Sequence, residues 1–217
     1  MKTTKNQNKI YFAPTSATGG LFQREINALL PLLHAVNSQE LLAREVKENS
    51  LLQINAQSTR SKVVGEIKRR ISAAFPGFWD TYKVASSRQQ ASMLFFLVLK
   101  TKALLFDFHF DVTIPAWKGS TQEFMPYNYQ MKIDEIGNQH ENVRQYTEST
   151  REQILKIYKR MLKEAGFLRD NKLVKPAVTN DFFYPFIENG ESWFLEACFL
   201  SQTEREKVLN QYNAFKS

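Results

Sequence analysis

The sequence predicts an all-α protein built as two small helical bundles, with a loop or a short β wing in the second. Three observations carry that expectation. Apolar residues recur at helical spacing in segment after segment, polar cap residues precede those segments and Gly or Pro closes several of them, and a 43% hydrophobic content is ample for a packed core.

Residues 1–18 mix Lys, Asn, Gln, Thr and Ser around a brief apolar patch at Ile10, Tyr11 and Phe12, which reads as a flexible arm. After Gly19 and Gly20, the apolar positions of Leu21–Val36 spell a helix that Pro31 should kink or split. Ser38 reads as the cap of a helix to about Glu48. After a connection over 49–57, Ser58 is the expected cap of a helix whose Val63, Val64, Ile67 and Ile71 share one face, and Pro76 and Gly77 end it. Ser86 and Ser87 then open an apolar helix from Arg88 to about Asp107, expected to be the core helix of the first bundle.

The Pro-, Gly- and Ser-containing stretch 115–126 breaks the periodicity, so the boundary is placed near Lys118, giving a domain over 19–118 and another over 119–217. A weakly amphipathic helix follows from Tyr127 to about Arg144, with an interruption expected at Gly137 and Asn138. Ser149 is the expected cap of a clearer one, in which Ile154, Leu155, Tyr158, Met161, Leu162 and Ala165 form the buried stripe and Gly166 the C-terminal stop. The stretch 169–180 reads as a loop or wing. Two short helices should finish the chain, one around 191–199 and one opened by a Ser201–Glu204 capping box.

Lys and Arg total 29 against 22 acidic side chains, a net charge of +7. Residues 1–118 hold 16 basic and 8 acidic groups while residues 119–217 hold 13 and 14, so the first half carries the whole surplus. Such a balance favours polyanionic partners. The single cysteine, Cys198, lies in an apolar stretch and excludes a disulfide framework or a CxxC metal site. Met1–Lys9 is basic but is followed by no long apolar stretch, and the longest apolar run, Met93–Leu99, is closed by Lys100 and Lys102. A cytoplasmic protein without a membrane span is expected.

Two constellations could bind nucleic acid. The first is Ser58, Thr59, Arg60 and Lys62 at the start of one helix with Lys68, Arg69 and Arg70 near its end. Hydroxyls and free N–H groups at a helix N-terminus accept phosphate, and Arg adds bidentate contacts to phosphate or guanine. The preceding helix has the length for a helix-turn-helix partner, although the connection exceeds the usual three or four residues. A solvated face is the competing reading, but only Glu66 opposes five cations between Asn55 and Phe75. The second constellation is Arg151, Lys156, Lys159, Arg160 and Lys163, followed by Arg169, Lys172 and Lys175 in the wing. Here Glu152 and Glu164 partly neutralise the face, which favours plain solvation.

Enzyme signals are poor. The run Asp107, Phe108, His109, Phe110, Asp111 would align ligands only on a strand, and on a helix it scatters them. P-loop, Rossmann, HExxH and GxSxG patterns are lacking. The aromatics Phe182, Phe183, Tyr184, Phe186, Trp193, Phe194 and Phe199 fall on candidate helices without interleaved cations, so core packing is preferred over base stacking.

Three segments together resemble the BrxA family of BREX bacteriophage-exclusion systems: NSLLQINAQSTRSKVVGEIKRRI, LVLKTKALLFDF and YTESTREQILKIYKRMLKEAGFL. Thr59 and Arg60, the Arg69–Arg70 pair, Lys102 with Leu104, Leu105, Asp107 and Phe108, and the closing Ala165–Leu168 match the family pattern, from which the chain departs at Tyr146, where Trp is usual. The resemblance implies helix-turn-helix-like bundles, double-stranded DNA binding without enzymatic activity, and a role in a multi-protein phage-defence system whose other components are candidate partners; no cofactor or metal is expected. The alternative expected from the basic faces is a protein-interaction adaptor or an RNA-binding factor.

Overall fold

A computed structural model describes residues 19–216, so the arm expected over 1–18 lies outside the described residues. The chain is helical nearly throughout: α1 (Gln23–Leu33), α2 (Ser38–Glu48), α3 (Gln57–Ser72), α4 (Phe78–Val84), α5 (Ser87–Thr101), α6 (Ala103–Phe108), a π-helical turn (His109–Thr113) and α7 (Ile114–Lys118). After these come α8 (Pro126–Gly137), α9 (Glu141–Arg144), α10 (Glu148–Glu164), the antiparallel pair β1 (Leu168–Arg169) and β2 (Lys172–Leu173), a 3-10 turn (Asp181–Phe183), α11 (Tyr184–Glu188), α12 (Trp193–Ala197) and α13 (Gln202–Lys216). The all-α expectation holds.

Local chemistry explains most of the ends. Ser86 accepts the Gln89 N–H while the Gln89 side chain accepts the Ser86 N–H, a reciprocal capping box that starts α5. Ser201 and Glu204 make the same exchange ahead of α13, which runs 15 residues rather than the short helix expected. Gly166 takes φ +80° after α10, a left-handed stop open to glycine. Asp170 and Asn171, both at positive φ, form the two-residue turn between β1 and β2 that the right-handed strand twist prefers.

Three cap assignments shift. Ser58 and Ser149 lie inside the first turns of α3 and α10, and Ser38 inside that of α2, whereas the caps are Ala56, Thr147 and Asn37. Only Thr147 uses its side chain, accepting the Thr150 N–H at 3.2 Å. The helix expected from Arg88 to Asp107 is broken at Lys102, whose extended backbone (φ −124°, ψ 90°) donates its N–H to Val98 and accepts from Phe106 with its carbonyl. One residue thus ends α5 and starts α6. Helix α1 passes through Pro31 and stops two residues later, and α4, α11 and the 3-10 turn are additional to the elements expected.

The core is aromatic and continuous. All nine residues Ala91–Leu99 of α5 are buried, so this helix has no solvent stripe along that stretch. Phe96 meets Phe75, Phe78, Phe186, Trp193 and Phe194, with centroids 5.1–6.1 Å apart. The C-terminal aromatics therefore pack inward, Phe182, Phe183, Phe186, Phe194 and Phe199 being buried and Tyr184 and Trp193 half-buried. The boundary expected near Lys118 falls where α7 ends at Gly119, and the buried cluster includes side chains from both sides of it. Cys198 is fully buried, which pushes its thiol pKa well up. Among the described residues, no helix is long and apolar enough to cross a membrane.

Candidate nucleic-acid interface

Helix α3 carries the first expected site, and its apolar and charged residues sort by position. Val63, Val64 and Ile67 are buried and Ile71 half-buried, as the spacing predicts. Ser58, Lys62, Lys68 and Arg69 are exposed and Thr59 is half-buried. Arg60 and Arg70 do not belong to the outer face, which corrects the expectation from sequence: they are 6% and 0% exposed.

Arg60 turns back to the end of α2. Its guanidinium donates to the carbonyls of Val46 (2.7 Å), Ile54 (2.5 Å), Asn55 (2.9 Å) and, more distantly, Lys47 (3.4 Å). Val46 and Lys47 are among the last carbonyls of α2, which a helix leaves without internal donors. Glu45 holds the other side of the same connection, accepting from the Ser50 hydroxyl and the Leu51 and Leu52 N–H groups. The eight residues between α2 and α3 are thus ordered by side chains of the flanking helices rather than by a tight turn.

Arg70 faces the opposite neighbour. It donates to Glu66 (3.1 Å), to the carbonyls of Gly20 (2.7 Å) and Leu21 (3.2 Å), and its guanidinium lies 5.0 Å from the Phe22 ring centre. Glu66, 1% exposed, also accepts from Arg69 at 2.5 Å and from Lys102 at 2.8 Å. Burial pushes the Glu66 carboxyl up, but the Arg70 charge and the Lys102 ammonium outweigh it and hold it below its ordinary value. The acid that stood alone against five cations in the sequence is the interior anchor for two of them, Arg69 and Arg70, and for Lys102.

The second expected site, α10, is divided in the same way. Ile154, Leu155, Tyr158, Met161, Leu162 and Ala165 are all buried. Arg151 bridges to Asp134 of α8 at 2.5 Å, and Lys159 donates to Asn171 in the hairpin turn at 2.9 Å while lying 5.2 Å from the Phe124 ring centre. Lys156, Arg160 and Lys163 share the exposed face expected of their spacing. Lys156 has Glu152 only at 3.8 Å, Arg160 pairs with Glu164 at 3.4 Å, and Lys163 has no ion pair among the described residues. Lys62 and Lys68 are equally unpaired among those residues.

The two basic helices are joined at their C-terminal ends. Arg70 of α3 donates to the Gly20 and Leu21 carbonyls, Arg160 of α10 donates to the Gly19 carbonyl, and Glu164 accepts the Leu21 N–H at 2.8 Å. A Cβ on Gly19 would stand 2.7 Å from the Ile157 side chain, so this close seating on α10 requires glycine. The segment Gly19–Leu21 is therefore clamped between both sites. Gly20 and Leu21 line a recess of about 610 Å³ with Ser87 and Glu164, and Glu164 is shared with a second recess of about 380 Å³ that Arg88 lines.

Neither sequence constellation includes Arg24 or Arg88. Arg88 has only its place behind the Ser86 cap as a local signal, and its approach to the end of α10 is a product of tertiary packing. His109 is disposed of by geometry: both ring nitrogens are taken, Nε2 donating to the Ala197 carbonyl (2.7 Å) and Nδ1 accepting from Tyr158 (3.0 Å). The Thr113 hydroxyl joins this buried network, donating to the Phe108 carbonyl (3.1 Å) and lying in hydrogen-bond contact with the hydroxyls of Tyr158 (2.7 Å) and Tyr129 (3.0 Å). Burial lowers the His109 pKa to about 4, against the opposing pull of the Ala197 carbonyl.

These features define a helical protein in which two helices tied together at one end each present exposed cations, Lys62, Lys68 and Lys163, that no carboxylate pairs among the described residues. The chain belongs to the BrxA family, whose model matches residues 11–190, and is thereby a BREX phage-defence component. In overall fold it is similar to the crystal structure of an uncharacterized protein from Magnetospirillum magneticum, with a TM-score of 0.69 and 19% identity over 87% of this chain and 97% of that one. A search of curated proteins gave no match.

Proposed function

We propose that this protein is a non-enzymatic accessory factor of its phage-defence system that binds double-stranded DNA through the outer faces of α3 and α10. The supporting observation is the set of exposed lysines at positions 62, 68 and 163, which no carboxylate among the described residues neutralises, on helices clamped together through Gly19–Leu21. Ser58 and Arg69 extend the first face, Lys156 and Arg160 the second. Arg60, Arg70, Arg151 and Lys159 hold the scaffold that presents them.

Phosphate neutralisation releases condensed counterions, so duplex affinity should fall steeply with salt. The test is fluorescence anisotropy with duplex DNA, single-stranded DNA and hairpin RNA at two salt concentrations, on the native protein and on Lys62→Ala/Lys68→Ala/Lys163→Ala. Salt-sensitive duplex binding that the triple substitution weakens is the expected result. Unchanged duplex affinity in a folded triple variant sinks the proposal, and tighter binding of the hairpin RNA would transfer the same faces to RNA.

A further inference from the structure

The smaller recess has a character that duplex binding along α3 and α10 does not use. It lies where the end of α10, the β hairpin and the start of α5 meet, and Arg88, Lys163, Arg169 and Lys175 border it from these separate elements. Lys175 is engaged by Glu204 at 2.5 Å, and Glu164, the acid on the wall, is engaged by Arg160 and the Leu21 N–H. Arg88, Lys163 and Arg169 are exposed and have no ion pair among the described residues. Three like charges are thus gathered around a concavity, an arrangement that their mutual repulsion opposes unless an anion enters.

Backbone donors at the end of α10 are already used, so the side-chain cations are what the recess offers an anion. Phe167, Gly166 and Ala165 N–H groups already serve the carbonyls of Leu162, Lys163 and Met161 at the end of α10. Arg88 and Ser92 bring the start of α5 to the wall of the recess. Val174, Pro176 and Ala177 give the recess an apolar stretch of wall, and Ser92 lies on the wall as well. At about 380 Å³ the recess belongs to the lower part of the range of small-molecule sites, roughly 300–1,000 Å³. A phosphate in the backbone of an intact duplex is carried on a convex surface and does not enter such a hollow.

We infer that this recess binds a terminal phosphate carried on a nucleoside: Arg88, Lys163 and Arg169 take the phosphomonoester and the Val174–Ala177 wall takes the sugar or base. The shared chemistry admits two sources, a free nucleotide or the 5′-phosphorylated end of a polynucleotide. The site shares Lys163 with the α10 face, while Arg88 and Arg169 belong to neither the α3 nor the α10 face.

The experiment uses the full chain with inorganic phosphate, AMP, and a blunt duplex carrying either 5′-phosphate or 5′-hydroxyl ends. Calorimetry at constant ionic strength, with chloride as the reference anion, measures the first two, and anisotropy measures the duplexes. The expected result is AMP and phosphate binding above the chloride reference, weakened at least about tenfold by Arg88→Ala/Arg169→Ala through loss of charge-assisted contacts and unaffected by Lys62→Ala/Lys68→Ala. A preference for 5′-phosphate ends that the same double substitution abolishes identifies the polynucleotide end as the source, while AMP binding without such a preference identifies the free nucleotide. A shift of the Gly166 amide resonance on adding AMP to the native protein locates the site even if the double variant does not fold. Absence of phosphate and AMP binding, together with equal affinity for the two duplexes, overturns the inference, whereas loss of binding to the 5′-hydroxyl duplex bears only on the α3 and α10 faces.

Discussion

Arg60 and Lys62 are two residues apart on one helix, and the structure gives them opposite work. Replacing Arg60 by Ala removes three well-formed hydrogen bonds, of 2.5, 2.7 and 2.9 Å, to carbonyls at the end of α2 and in the connection to α3. At about 1 kcal/mol net for each, the expected loss is about 3 kcal/mol of folding stability. For a chain of this size that lowers Tm by roughly 6–12 °C. Replacing Lys62 by Ala breaks no hydrogen bond or ion pair among the described residues, so stability should stay within about 0.5 kcal/mol. Duplex affinity should fall instead, and the slope of log affinity against log salt should become shallower by about 0.9, because one phosphate fewer is neutralised. Urea unfolding of both variants, paired with anisotropy titrations over a salt series, separates the roles. An Arg60→Ala protein of native stability but weakened duplex affinity would refute the assignment of Arg60 to the scaffold.

His109 makes stability depend on pH. Its folded pKa of about 4 lies below the ordinary 6.5, so the unfolded chain binds more protons between these values and stability falls as pH drops through that window. From pH 8 to pH 5 the expected loss is about 2 kcal/mol, measurable by urea unfolding, and His109→Gln should remove it; an equal loss in that variant would assign the effect elsewhere. Glu66→Ala leaves Arg70 and Lys102 charged and unbalanced in the interior and should cost about 3–5 kcal/mol, so a loss below about 1 kcal/mol in calorimetry would contradict the anchoring role. Gly19→Ala should cost about 1–3 kcal/mol through the clash with Ile157, and Ile157→Ala in the same chain should relieve part of it; additive losses would argue against that contact.

Much of the fold is legible in the sequence because helical periodicity and side-chain caps are local. The α10 stripe, the Gly166 stop, the β hairpin, the Ser201 capping box and the helix range of α2 follow from residues a few positions apart. Cap register is harder, since Ser58 and Ser149 have the right chemistry but the chain enters the helix two residues earlier. The break at Lys102 is hidden in an apolar run with good helix formers, and the Glu66 carboxylate that its side chain reaches is 36 positions away in sequence. The same limit governs the site. A cation pattern on a helix shows which positions are charged but not which of them meet carbonyls, and Arg60 and Arg70 resemble Lys62 and Lys68 until α2 and the Gly20–Leu21 segment are in place. Arg88 becomes visible only when packing brings the start of α5 to the end of α10.

Glu66 answers to Arg69, Arg70 and Lys102 at once, and this sets how α3 can change over generations. A substitution at that carboxylate strands charges on two segments, and no single second change restores the balance, so the inward half of the helix can drift only by improbable concerted steps. Positions 62 and 68 carry no such obligation. They can be exchanged singly with little effect on folding, which leaves the outward half free to follow whatever polyanion the lineage meets while the frame beneath it stays fixed.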